Sequence, residues 1–96
     1  EVTPESILRA ASHYFSLKES DITGKSKRQD LVRARQICIF LMCDMLSVPL
    51  ISIGKVMGGR DHSTIIYARD KIADLMRLND SVAKAVTDIK SAVLKQ

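Results

Sequence analysis

The chain has 96 residues, of which 46% are hydrophobic and 27% charged, and its net charge is +4, as expected for one soluble globular domain with a single core. The longest apolar run, Ile37 to Cys43, is far shorter than the roughly 20 residues of a membrane span, and the N-terminus lacks a signal-peptide pattern. The first residue is not Met, so we expect a piece of a longer cytoplasmic protein.

The first 24 residues predict one helix and then a turn. The segment TPE at residues 3–5 is a favourable helix start, because Thr caps, Pro suits the first helical position and Glu suits the helix dipole. Apolar residues at helical spacing continue this helix to about Leu17. Gly24 then interrupts the pattern, and we expect a short turn anchored by Leu17 and Ile22.

A basic segment follows the turn. Residues 25–35 (KSKRQDLVRAR) hold five Lys or Arg side chains and one Asp, so the remainder of the chain is neutral in sum. A neutral body with one basic segment suggests a polyanionic partner that contacts the basic loop at about residues 24–30. Charge alone leaves a second interpretation open, in which this is an ordinary solvated loop that is basic.

A long helix is predicted from about Gln29 to Leu46. After Gln36 it is apolar on nearly every face, which is typical of a buried central helix. Its basic beginning is expected to emerge from the core and to present Arg33, Arg35 and Gln36 from a rigid element.

The two cysteines, Cys38 and Cys43, are expected to lie about 140° apart around the axis of this helix. They are therefore not expected to form a disulfide, and their spacing is not that of a metal or redox pair. We expect both to be small core residues.

Three further helices are predicted after Leu46. A short one runs from about Pro49 to Met57 and ends at Gly58-Gly59, because glycine adopts the left-handed conformation without strain. The next begins after Asp61 and buries Ile65, Ala68, Ile72, Leu75 and Met76. The last begins at Asn79-Asp80 and buries Val82, Ala85, Val86, Ile89 and Val93. With no strand pattern and no repeat, the fold class is all-α, a small orthogonal helical bundle in a single domain over residues 1–96.

The helices at about residues 49–76 have the outline of a helix-turn-helix, in which the first turn of the second helix meets base edges in the major groove of DNA. Five polar residues in a row, at 60–64, open this helix, whereas a cap needs only one. Asp61 can accept a hydrogen bond from cytosine. Polar groups or a methyl for other bases are offered by His62, Ser63 and Thr64. Taken singly, each residue is also explained by capping or surface exposure, and that alternative stays open.

Other chemistries are not supported by the residues. Residues 54–61 have P-loop-like glycine spacing, but they lack the Lys-Ser/Thr pair and follow a helix instead of a strand. His13 and His62 have no partners at metal-ligand spacing, and Ser63 lies in no nucleophile elbow. We expect no enzyme activity, no metal and no cofactor in this domain.

Two motifs point to a known family. The sequence GGRDHST at residues 58–64 closely resembles GGRDHTT, the signature of the C-terminal DNA-binding domain (domain IV) of the bacterial chromosomal replication initiator DnaA. The sequence ARQICIFL at 34–41 is similar to that family's ARQIAMYL-type segment, and the IG pair at 53–54 matches as well. The similarity runs from about residue 7 to residue 75, and less distinctly to the end.

The resemblance implies an all-helical domain that binds asymmetric origin boxes of the TTATCCACA type, and the same binding suits transcriptional regulation. Carried over by position, it implies that Asp61, His62 and Ser63 read bases in the major groove. It also implies that the basic loop reaches the adjacent minor groove through Lys27 or its neighbour Arg28. Contacts to the DNA backbone are implied for Lys25, Arg35, Gln36, the Leu50 main chain, Thr64 and Tyr67.

Three positions depart from the family pattern. Lys27 stands where the family commonly has the minor-groove Arg, so Lys27 and Arg28 share that assignment. Ser63 replaces the usual Thr and lacks a methyl that could touch thymine. Pro49 lies two residues before the family's usual proline, at a position where this chain has Ile51.

In the family this domain follows an ATP-binding AAA+ module, which the sequence does not contain, so ATP is expected only there. We expect a monomer that binds double-stranded DNA and regulatory proteins in the cytoplasm, associated with the nucleoid. An alternative from another class is a helical protein-interaction domain whose basic loop docks an acidic partner. An exposed apolar stripe on a helix would favour that alternative.

Overall fold

The chain folds into six helices and no strands. In this computed structural model, which describes all 96 residues, the helices are α1 (Pro4–Phe15), α2 (Glu19–Ile22), α3 (Gln29–Met45), α4 (Leu50–Val56), α5 (His62–Leu78) and α6 (Asp80–Leu94). The all-α prediction is confirmed, and the long helix begins at the predicted residue. None of the six combines the length and the hydropathy that a membrane crossing requires.

Helix α1 begins with a side-chain cap and ends at a residue with a left-handed main chain. The Thr3 hydroxyl accepts a hydrogen bond from the Ser6 amide at 3.0 Å, and the Ser6 hydroxyl accepts one from the Thr3 amide at 3.0 Å. This reciprocal cap satisfies two amides that the helix leaves free. The helix ends at Phe15, two residues earlier than expected, because Ser16 adopts the left-handed conformation with a φ of 55°.

The stretch that was expected to be a turn contains the one-turn helix α2. Its four residues are too few for a helical period to show in the sequence. Ile22 is fully buried and Leu17 packs half-buried against the core, so the two predicted anchors are confirmed. Residues 25–28, which follow, have no regular secondary structure.

Helix α3 lies at the centre of the molecule. It packs against all five other helices, and this explains why the sequence after Gln36 is apolar all round. Cys38 and Cys43 are both free thiols, as expected. Cys38 is fully buried, and burial raises its pKa to about 12.

The C-terminal helices form close to the predicted boundaries. Helix α4 begins one residue after Pro49. In α5 the stripe of Ile65, Ala68 and Ile72 is buried. Leu75 and Met76 pack half-buried against the core. The Asn79 side chain caps α6 by accepting hydrogen bonds from the Ser81 and Val82 amides. The five residues predicted to be buried in α6 are all buried: Val82, Ala85, Val86, Ile89 and Val93. Helix α6 closes the bundle against α1 and α5.

Candidate nucleic-acid interface

The turn between α4 and α5 is built on glycine. Gly58 and Gly59 have φ angles of 80° and 81°, in the left-handed region that glycine enters without a Cβ clash. The amides of Gly59 and Arg60 both donate to the Gly54 carbonyl at 2.9 Å. A Cβ at Gly54 would overlap the Arg60 carbonyl, so α4 lies directly against the turn that leads into α5.

Helix α5 opens with one cap and three further polar side chains. The Asp61 carboxylate accepts a hydrogen bond from the Thr64 amide at 2.9 Å, and this bond holds the pKa of Asp61 below its usual range. The capping interpretation of Asp61 is therefore confirmed. His62, Ser63 and Thr64 are exposed, and capping does not explain the first two, whose side chains form no hydrogen bond.

A cleft of about 470 Å³ joins the start of α5 to the basic loop. Residues from the loop, α3 and α5 line it, and six of them are residues that the sequence predicted as DNA contacts: Lys25, Lys27, Arg35, Gln36, Thr64 and Tyr67. The lining contains four Lys or Arg side chains and no carboxylate. The cleft therefore has a positive potential that favours an anionic ligand.

The other five predicted contact residues lie outside the lining of the cleft. Three of them, Asp61, His62 and Ser63, directly precede Thr64 at the start of α5, and Arg28 follows Lys27 in the loop. The fifth, Leu50, is the first residue of α4. Its amide lies in the first turn, where the helix itself supplies no acceptor.

Lys27 and Arg28 differ in their surroundings. The Arg28 guanidinium donates from Nε and Nη2 to the two carboxylate oxygens of Asp30, at 2.7 and 3.1 Å. This pairing lowers the pKa of Asp30 and raises that of Arg28. Lys27 is exposed and takes part in no ion pair or hydrogen bond. Of the two neighbours, Lys27 is the one whose charge is free.

Arg35 differs from its expected placement, because its side chain is buried instead of displayed at the surface. Only 8% of the residue is exposed, and its guanidinium donates to the carbonyls of Ile22 at 2.6 Å, Ser26 at 3.0 Å and Asp21 at 3.2 Å. The bond to Ser26 holds the loop against α3, and the other two hold α2 against it. Gln36, one residue on, is half-buried and has a side-chain oxygen with no hydrogen-bond partner.

Arg60 is the residue whose role the sequence did not reveal. It lies just before the cap of α5, and its guanidinium donates to three main-chain carbonyls, those of Thr23, Gly24 and Met57. A cation at a helix N-terminus is disfavoured by the helix dipole. The unfavourable position of Arg60 was the one feature of the sequence that could have indicated a special role for it. Its loop partners lie 36 and 37 residues upstream, so spacing could not identify them.

Comparison with known protein families bears directly on this arrangement. Residues 4–72 match the family described as "Bacterial dnaA protein helix-turn-helix". The chain belongs to this family. The matched range begins at the first residue of α1 and reaches Ile72 in α5. It includes the basic loop, the glycine turn and the start of α5, so every residue of the cleft lies inside the match to the DnaA family.

Curated relatives agree with the family. The chain is 38% identical over 96 residues to the chromosomal replication initiator protein DnaA of Bifidobacterium animalis subsp. lactis, covering all of this chain and 16% of the relative. It is 36% identical over 92 residues to the protein of that name from Leifsonia xyli subsp. xyli, covering 96% of this chain and 20% of the relative. The chain thus spans at most about a fifth of the length of these DnaA proteins.

Proposed function

We propose that this chain binds double-stranded DNA sequence-specifically at origin boxes of the TTATCCACA type and so serves the initiation of chromosome replication. The observation that supports this most is the cleft, because it joins the exposed start of α5 to a group of cations without a carboxylate. A helix-turn-helix inserts its second helix into the major groove, and nearby Lys and Arg side chains neutralise phosphates.

Base reading in the major groove is assigned to Asp61, His62 and Ser63. Asp61 uses one carboxylate oxygen for the cap, and the other can accept a hydrogen bond from cytosine N4. His62 and Ser63 are exposed beside it. Both have unpaired polar atoms for base edges.

Minor-groove contact is assigned to Lys27 in preference to Arg28. The Arg28 guanidinium makes a bidentate pair with Asp30. A contact between Arg28 and the DNA would therefore leave the Asp30 carboxylate unpaired beside the phosphates. Lys27 carries no such partner and lines the cleft. A narrow A·T-rich minor groove attracts Lys and Arg by its negative potential.

Contacts to the DNA backbone are assigned around the cleft and at the start of α4. Lys25 brings its charge to the glycine turn, where its ammonium lies 3.4 Å from the Gly58 carbonyl. Arg35 makes three hydrogen bonds to main-chain carbonyls of α2 and the loop, and a guanidinium has five donors, so two remain for a phosphate. The remaining assigned contacts are Gln36, the Leu50 amide, Thr64 and Tyr67.

The wider context is part of the same proposal. This domain acts without catalysis and without a cofactor of its own, as a monomer in the cytoplasm at the nucleoid, and its box binding also serves transcriptional regulation. ATP binding belongs to an AAA+ module elsewhere in the longer protein. Regulatory proteins are further partners of the domain.

The substitution His62→Ala tests the base-reading assignment. We expect it to weaken binding to the box about tenfold, because a good base contact contributes roughly 1–3 kcal/mol of discrimination, and to change binding to random duplex less than about twofold. Fluorescence anisotropy titrations on both duplexes measure this. His13→Ala, which removes the chain's other histidine from the exposed face of α1, is the matched control. Equal losses on both duplexes would show that His62 does not read bases.

The protein-interaction alternative gains no support from the packing. An exposed apolar stripe on a helix would favour it. In α6, five apolar residues lie in the core, and Leu94 is the one large apolar side chain that is exposed.

A further inference from the structure

We infer that Arg60 is a positioning residue that fixes the basic loop relative to α5, so that Lys27 can enter the minor groove while α5 lies in the major groove. Arg60 itself does not contact the DNA in this arrangement. The inference rests on the proposed function, and it adds the connection by which two separate DNA-contacting elements act as one surface.

The hydrogen bonds of Arg60 join two distant segments. Its Nη1 donates to the Met57 carbonyl at 2.5 Å, at the end of α4, and to the Thr23 carbonyl at 3.0 Å. Its Nη2 donates to the Gly24 carbonyl at 2.6 Å. One guanidinium therefore ties the glycine turn to the start of the basic loop. Hydrogen bonds from a charged donor are stronger than those between neutral groups.

The loop has few other restraints. Between residues 25 and 28 the only hydrogen bond between main-chain groups is the one that the Arg28 carbonyl accepts from Val32. From the α3 side, Arg35 holds the loop through the Ser26 carbonyl and holds α2 through two further carbonyls. On the side of the turn that precedes α5, the exposed Lys25 ammonium makes one long contact, 3.4 Å from the Gly58 carbonyl. The shorter hydrogen bonds between the turn and the start of the loop are those of Arg60.

The turn and the loop also touch sterically. A Cβ at Gly58 would overlap the Thr23 carbonyl oxygen, so the glycine turn lies directly against the residue that Arg60 holds. Neither Arg60 nor Arg35 has an acidic partner. Burial lowers the pKa of both guanidiniums, yet each stays charged at neutral pH. Main-chain carbonyls are thus the groups that compensate these two charges.

A double-mutant cycle tests the inference. Binding to the box duplex is measured by anisotropy for the unsubstituted chain, Arg60→Gln, Lys27→Ala and the double variant. We expect Arg60→Gln to weaken binding roughly tenfold when Lys27 is present, and less than about twofold when position 27 is Ala, because a positioning residue loses its effect with the group it positions. Equal losses in both backgrounds, or no loss in either, would overturn the inference.

Two further variants separate positioning from charge and from stability. Arg60→Lys keeps the charge, but a single ammonium cannot reproduce the planar fork of donors, so we expect it to behave like Arg60→Gln. Binding equal to that of the unsubstituted chain would mean that charge alone matters and would contradict positioning. Arg77→Gln, at the exposed far end of α5, is the control, and we expect it to change neither binding nor Tm.

Nuclear relaxation of the free protein gives a readout that needs no DNA. In Arg60→Gln we expect lower amide order parameters at residues 25–28, with α6 unchanged. A loop as rigid as in the unsubstituted chain would overturn this inference while leaving the proposed function intact. In contrast, a chain that does not distinguish the box from scrambled duplex, with a loop loosened in Arg60→Gln, would contradict the proposed function and leave the hold of Arg60 on the loop established.

Discussion

At the scale of single residues, Asp61 has two roles that its surroundings allow to be separated. It caps α5 through the Thr64 amide, and its second oxygen is assigned to a base. We expect Asp61→Ala to lower Tm by several degrees and to weaken box binding, because both roles are lost. Asp61→Asn retains an N-cap oxygen, so we expect a Tm near that of the unsubstituted chain together with altered preference at the cytosine. Equal losses of Tm in both variants would contradict the capping role.

The same carboxylate predicts a dependence on pH. Its pKa is lowered in the folded state, chiefly by the hydrogen bond from the Thr64 amide. The stabilisation is therefore fully present above the unfolded pKa of about 4 and is lost as pH falls through the lower folded value. Between pH 5 and pH 3, Tm is expected to fall less in Asp61→Asn than in the unsubstituted chain, as measured by circular dichroism. A parallel fall would contradict this.

The residues also show what the sequence could and could not predict at this scale. The cap at Asp61 and the exposed polar group after it followed from residue type and position alone. The burial of Arg35 did not follow, because arginine is rarely buried and its partners are main-chain carbonyls that carry no residue-specific signal. The role of Arg60 could not be predicted either, because its partners are also main-chain carbonyls.

At the scale of elements, the glycine turn gives a matched pair of substitutions. Gly58 and Gly59 have nearly the same left-handed φ, but a Cβ at Gly58 would overlap the Thr23 carbonyl, whereas one at Gly59 would meet open space. We expect Gly59→Ala to reduce the free energy of unfolding by about 1–2 kcal/mol, the cost of the left-handed conformation. Gly58→Ala should cost more than that and should weaken box binding, because it pushes the loop from the turn.

Urea denaturation and box titrations of the two variants measure this difference. Equal unfolding free energies, with equal binding, would contradict direct contact between the turn and the loop.

The sequence predicted a helix and its buried residues well where the helix was long enough for its apolar period to show. The five buried residues of α6 were predicted correctly because a helix of fifteen residues shows a clear apolar stripe in its sequence. Helix α2 was missed because four residues show no period. The placement of the basic loop beside α5 depends on contacts between residues more than thirty positions apart, and no local pattern encodes such a distance.

At the scale of the whole molecule, the net charge of +4 is concentrated beside the start of α5. A DNA-binding surface of this kind should neutralise about five to seven phosphates, so the logarithm of the binding constant is expected to fall against the logarithm of salt concentration with a slope of about −5 to −6. Binding titrations between about 50 and 200 mM salt measure this slope. Lys27→Ala should reduce it by about 1, and a slope near zero would contradict phosphate-dominated affinity.

The most direct test of the central claim is fluorescence anisotropy of this domain on a TTATCCACA duplex and on a scrambled duplex of equal composition, at two salt concentrations. The proposal predicts tight binding to the box, weaker binding to the scrambled duplex, and a preference that persists when salt is raised, because base contacts depend less on counterions than phosphate contacts do. Weak binding that is equal on both duplexes and vanishes with salt would contradict it. The cleft would then be a non-specific anion surface.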